Sequence, residues 1–129
     1  MRLLLDAHTF LWFVWDDLQL GTNARALIVD PSNQKLISAV TYWEIAIKVS
    51  IGKLDLGEPY RAFMPREINR NNFDMLPVSV DHAAVVSSLP FHHRDPFDRL
   101  LIAQAIVEQI PIVSGDPAFD AYPTITRLW

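Results

Sequence analysis

Short segments built almost wholly of apolar residues alternate along this chain with segments of helical pattern. The apolar ones are Arg2–Asp6, Lys35–Ser38, Ile110–Ser114 and Thr124–Leu128, with Met75–Val80 as a further extended stretch. Strands this short and this apolar are covered on both faces, and strands separated by helices run parallel. The order therefore predicts an α/β fold around a mostly parallel sheet. In such sheets, ligands bind at the carboxyl ends of the strands. Asp6 ends the first strand and Asp116 lies just past the Ile110–Ser114 strand, so both fall on the edge where chemistry is expected.

The helical segments have readable ends. Thr9–Trp15 is an apolar helix turn closed by Asp16-Asp17, and a helix to Val29 starts with Thr22 or Asn23 as its cap. Val40–Ile51 is a clear helix ended by Gly52. It is apolar on most sides, with one polar stripe of Thr41, Glu44 and Lys48, so that stripe faces something specific. Glu58–Asn72 is polar and helical, with an interruption expected at Pro65; Asp81 caps a helix to Ser88. After the loop His92–Asp95, Pro96–Glu108 is a second well-defined helix, with Asp95 suited to the N-cap.

Composition narrows the class. Of the 129 residues, 50% are hydrophobic and 20% charged, which excludes a disordered tail and fits one domain over 1–129. The longest apolar run, Phe10–Trp15, is far short of a membrane span, and Asp6 and His8 break up what would otherwise pass for a signal peptide. There is no cysteine, which excludes thiol catalysis and a cysteine zinc site and fits a cytoplasmic protein. The net charge of −4 argues against gripping nucleic acid by bulk charge. Setting aside four candidate metal ligands leaves the rest near neutral, so a nucleic-acid substrate is not excluded.

Those candidates are Asp6, Glu44, Asp98 and Asp116. Carboxylates about 5 Å apart repel by about 3 kcal/mol at an effective dielectric of about 20. A hard divalent cation offsets that repulsion. Without Cys and without His paired at helical spacing, Mg²⁺ or Mn²⁺ suits the set better than Zn²⁺. Such an ion activates water and steadies charge on a phosphodiester oxygen, which implies metal-dependent phosphodiester hydrolysis.

Each residue also has an ordinary reading. Glu44 and Lys48 make a favourable i,i+4 pair. Asp98 suits the third position of a helix, Asp116-Pro117 opens turns, and Asp6 can accept from a nearby backbone N–H. Spacing alone does not establish that they meet.

Four blocks carry a resemblance. They are Leu4-Leu5-Asp6-Ala7-His8-Thr9-Phe10-Leu11-Trp12, then Ile37–Lys48 with Ile51-Gly52-Lys53-Leu54, then His93-Arg94-Asp95-Pro96-Phe97-Asp98-Arg99-Leu100-Leu101-Ile102-Ala103-Gln104-Ala105, and Ile112-Val113-Ser114-Gly115-Asp116. In this order and spacing the chain resembles the PIN-domain family, and in particular the VapC-type ribonuclease toxins of toxin–antitoxin systems. The resemblance implies a Rossmann-like three-layer α/β/α sandwich. It also implies a metal site at Asp6, Glu44, Asp98 and Asp116, these same residues being catalytic, with Mg²⁺ or Mn²⁺ as cofactor.

Asp95 is then assigned to capping and to supporting the ligands. Position 7 is Ala where relatives often carry Thr, which removes a hydroxyl beside the metal that Thr9 or Ser114 can supply. Arg94, Arg99 and Lys48 are candidates for RNA phosphates, Lys48 alternatively for holding Glu44. His8, His92 and His93 receive no general-base role, because water activated by a metal needs none.

The implied activity is an endoribonuclease toxin that cuts tRNA or rRNA and inhibits translation. The implied partners are a cognate antitoxin, a second copy in a homodimer, and a larger toxin–antitoxin assembly, with no membrane. The crowded apolar run Phe10–Trp15 is either a packed core helix with Trp15 as a lid or, in part, a partner surface. The competing reading is a catalytically silent PIN-like module that binds RNA or protein. An aspartyl phosphatase is disfavoured because the first strand reads Asp6-Ala7-His8 rather than Asp-x-Asp.

Overall fold

The computed structural model describes residues 1–129. Its five strands are β1 (Arg2–Leu5), β2 (Gln34–Ser38), β3 (Phe73–Leu76), β4 (Ile112–Val113) and β5 (Arg127–Leu128). They form one sheet of order β3-β2-β1-β4-β5, with every neighbouring pair parallel. The helices are α1 (Ala7–Val14), α2 (Thr22–Val29), α3 (Ala39–Ser50), α4 (Tyr60–Arg70), α5 (Val80–Ser88) and α6 (Pro96–Glu108), followed by a 3₁₀ turn at Pro117–Ala121.

Side chains alternate across a strand, and here the alternation builds two cores. Leu3 and Leu5 join Phe10, Leu11, Ala24, Ile28, Phe63 and Met64 on one face. Leu4 joins Leu36, Leu76, Leu101, Ile102 and Ile112 on the other. Helices α1, α2 and α4 thus cover one side and α5 and α6 the other, which is the expected three-layer α/β/α sandwich. The chain winds from β1 outward to β3, then returns to β4 on the opposite side of β1. The switch point lies between β1 and β4, where open α/β sheets place their sites.

Several expected boundaries move. The third strand is Phe73–Leu76 rather than Met75–Val80, because pairing Lys35 with Phe73 sets its register. Ser79, not Asp81, caps α5: its hydroxyl accepts from the His82 amide, and the His82 ring accepts from the Ser79 amide. Helix α2 is capped by Gly21 without a side-chain bond, and Thr22 lies inside it. A Cβ on Gly21 would approach the Trp129 ring to 3.0 Å, so a larger residue there would require that ring to shift. Pro65 does not interrupt α4. It lies on the exposed face, where the freed carbonyl of exposed Arg61 can meet water. Gly52 ends α3 as expected, at φ +74°.

Candidate metal centre

Asp6 follows β1 directly and caps α1. Its Oδ1 accepts the Thr9 amide at 2.9 Å, and its Oδ2 accepts the Ser114 hydroxyl at 2.5 Å. The Ser114 oxygen also accepts the Asp116 amide at 3.0 Å. One buried hydroxyl therefore ties the ends of β1 and β4 to each other and to the next carboxylate. The Thr9 hydroxyl is spent on the Val113 carbonyl at 2.9 Å. This corrects its expected role: Thr9 supports Asp6 through its amide, and its hydroxyl fastens α1 to β4.

Asp116 caps the 3₁₀ turn by accepting from Ala118, and Asp95 caps α6 by accepting from Phe97 and Asp98. Glu44 is buried on α3 and accepts from Lys48 at 2.7 Å, so Lys48 performs the second of its two expected roles, holding Glu44. Asp98, in the first turn of α6, accepts no hydrogen bond of this kind.

These elements enclose one pocket of about 210 Å³, lined by Asp6, Ala7, His8, Glu44, Lys48, Asp95, Asp98 and Asp116. A larger cavity, about 490 Å³, lies between Met1, Ile106 and Thr126 but carries no carboxylate, so chemistry rather than size marks the site. Burial pushes the Asp98 carboxyl up to about 7, and Asp95, Asp6, Glu44 and Asp116 add to the push, in that order. Five carboxylates thus face one lysine. The excess of hard oxygen donors over cations fits a divalent metal ion.

Two further placements differ from the sequence reading. Arg99 is buried and faces away from the pocket. Its guanidinium donates to the carbonyls of Val86, Leu89 and Pro90 at the end of α5 and lies 3.9 Å from the Phe91 ring centre. The expected contact with RNA phosphates is therefore corrected, because every polar bond Arg99 makes is structural. Exposed Arg94 remains free in the loop before α6. His93, to which sequence reasoning gave no role, stands at the site: one ring nitrogen and one oxygen each of Asp98 and Asp116 all lie within 4.8 Å of one another. No local pattern reveals this, because Phe119 and Tyr122 position the ring. His8 lines the pocket stacked on Trp12, and His92 packs against Tyr122.

Trp15 covers the core only in part: its ring lies 6.4 Å from that of buried Phe63. In α1, Phe10 and Leu11 are buried, Trp12 and Phe13 half-buried, and Trp15 is 40% exposed. An apolar cleft of about 280 Å³ runs past Leu11, Trp12, Trp15 and Leu54 and shares Ala7, His8 and Lys48 with the acidic pocket.

Comparison with known proteins gives consistent results. The family model described as PIN domain matches residues 3–125. Ribonuclease VapC16 of Mycobacterium tuberculosis (strain ATCC 25618 / H37Rv) is 42% identical over 59 residues, a match spanning 46% of this chain and 40% of that relative. VapBC2 from Rickettsia felis, solved bound to a DNA fragment from its promoter, superposes with a TM-score of 0.75 at 14% identity, over 99% of this chain and 98% of that one. VapBC-1 from nontypeable Haemophilus influenzae superposes at 0.69 and 13% identity, over 99% and 97%. At these identities the structural likeness concerns the fold. No helix is long and apolar enough to cross a membrane.

Proposed function

Because the chain belongs to the PIN domain family, we propose that it is a metal-dependent endoribonuclease of the VapC toxin type. In this reading it cuts tRNA or rRNA, inhibits translation and is neutralised by a cognate antitoxin in the cytoplasm. The observation that carries the reading is the convergence of five carboxylates on one pocket at the sheet's switch point. Asp6, Glu44, Asp98 and Asp116 would hold Mg²⁺ or Mn²⁺. The bound ion supplies Lewis-acid activation of water and of the phosphodiester.

The chain's own residues set the stage for that chemistry. The Thr9 amide and Ser114 hydroxyl hold Asp6 in one orientation, and Lys48 does the same for Glu44. Asp95 fixes the start of α6 and with it Asp98. Exposed Arg94, which precedes the pocket residue Asp95 in the chain, and partly exposed Lys48 would offer positive charge to RNA phosphates.

The partners follow the same reading. The antitoxin segment would occupy the apolar cleft beside Trp12 and Trp15, which shares Ala7, His8 and Lys48 with the acidic pocket. Trp43, 62% exposed and packed edge-on against Phe97, offers apolar surface to a homodimer that could assemble further with antitoxin. The test is a titration of the antitoxin-free protein with Mn²⁺ and Mg²⁺, paired with cleavage of total tRNA and rRNA. Cutting that requires metal and disappears in Asp98→Asn is the expected result. Metal binding without cutting would leave a silent RNA- or protein-binding module, and no metal binding would overturn the reading.

A further inference from the structure

We infer that His93 is a nitrogen ligand of the divalent cation held by Asp98 and Asp116, and that this nitrogen makes the site prefer first-row transition ions over Mg²⁺. The inference rests on the metal-dependent reading above and adds to it a ligand and a metal class.

Both ring nitrogens of His93 are buried, and neither has a hydrogen-bond partner. An imidazole always carries at least one N–H donor, and its neutral form also carries an acceptor. Leaving both unpaired is unfavourable unless the site is built for another partner. The ring is held by packing: the Tyr122 ring stacks on it and the Phe119 ring lies tilted against it, each 5.5 Å away between centres. The loop is held as well, because the His93 amide donates to the Tyr122 hydroxyl at 3.0 Å, which donates on to the Pro90 carbonyl at 3.1 Å.

Within this frame a nitrogen comes within 4.8 Å of oxygens from both Asp98 and Asp116. Two ligands of one such ion, with bonds of about 2.1 Å, lie at most about 4.2 Å apart. A pair at that bound therefore needs to close by about half an ångström if the two ligands are trans and by up to about 2 Å if they are cis, within reach of side-chain rotation. Asp98 and Asp116 sit on α6 and on the loop after β4, so the triple spans two elements that flank the switch point. Imidazole is a ligand of transition ions, whereas Mg²⁺ takes oxygen.

The experiment uses the full chain and two probes, Mn²⁺ and Mg²⁺. Calorimetry measures both affinities, and pulsed electron paramagnetic resonance looks for ¹⁴N coupling to bound Mn²⁺. His93→Phe keeps an aromatic ring against Phe119 and Tyr122 but removes the nitrogens. The wild type is expected to show imidazole ¹⁴N coupling. His93→Phe is expected to lose it and to bind Mn²⁺ about tenfold more weakly, with Mg²⁺ affinity changed less than about twofold. If His93→Phe fails to fold, His93→Gln replaces it. No ¹⁴N coupling in the wild type, coupling that persists in the variant, or equal weakening of both ions overturns the inference. Mn²⁺ binding that Asp98→Asn abolishes, without nitrogen coupling, leaves the metal site standing and removes His93 alone. No Mn²⁺ binding by the wild type removes both.

Discussion

Replacing Asp98 by Asn should stabilise the metal-free protein, and only above acidic pH. Asp98 is held at about 7 against an ordinary value of 3.8, first by burial and then by its four acidic neighbours. Its carboxylate accepts no hydrogen bond that Asn would forfeit. A folded-state value raised above the unfolded one means that the native state binds the proton more tightly. Native stability therefore falls as pH rises from about 4 to about 7, and the full penalty is present above that. The shift corresponds to about 4 kcal/mol, and water at the pocket mouth screens part of it. On the order of 2 kcal/mol should be recovered by Asn, equivalent to roughly 7 °C in melting temperature for a chain of this size.

The assay is thermal and urea unfolding of both proteins in chelator at pH 4 and pH 8, then with Mn²⁺. The variant should exceed the wild type at pH 8, match it at pH 4, and lose its advantage when metal is added. A variant no more stable than wild type at pH 8, or a gain independent of pH, would refute the electrostatic account of the pocket.

Ser114→Ala removes the hydroxyl that ties Asp6 to Asp116, and Mn²⁺ affinity by calorimetry should fall about tenfold with the fold retained by circular dichroism. Lys48→Met leaves Glu44 buried without its cation. Urea unfolding in chelator should show a loss of about 2 kcal/mol, much of it restored by Mn²⁺. Arg99→Met leaves the Leu89 carbonyl without a donor, while the Val86 and Pro90 carbonyls keep the Leu89 amide and the Tyr122 hydroxyl, and should cost about 2 kcal/mol in urea unfolding. RNA affinity measured in an Asp98→Asn background should be unchanged by Arg99→Met, whereas Arg94→Ala should weaken it and flatten its salt dependence.

The sequence by itself determined the class of fold and the carboxylates worth examining. Both are written in local pattern: short apolar strands between helices, Asp6 at a strand end, and Glu44 on the one polar stripe of an apolar helix. Helix ends set by adjacent residues were legible for the same reason, as with Asp95 before Pro96 and Gly52 after α3. What only the tertiary structure decided depends on residues far apart in the chain. Ser114 reaches Asp6 across 108 positions because β4 returns to lie beside β1. Gly21, the cap of α2, lies against the Trp129 ring, which would have to shift to admit a Cβ. Arg99 and Asp98 are adjacent in sequence, yet one helix directs Asp98 into the pocket and Arg99 to the end of α5, and only the packing of α5 on α6 separates a structural charge from a chemical one. His93 acquires its position from Phe119 and Tyr122, two rings whose approach no spacing along the chain encodes.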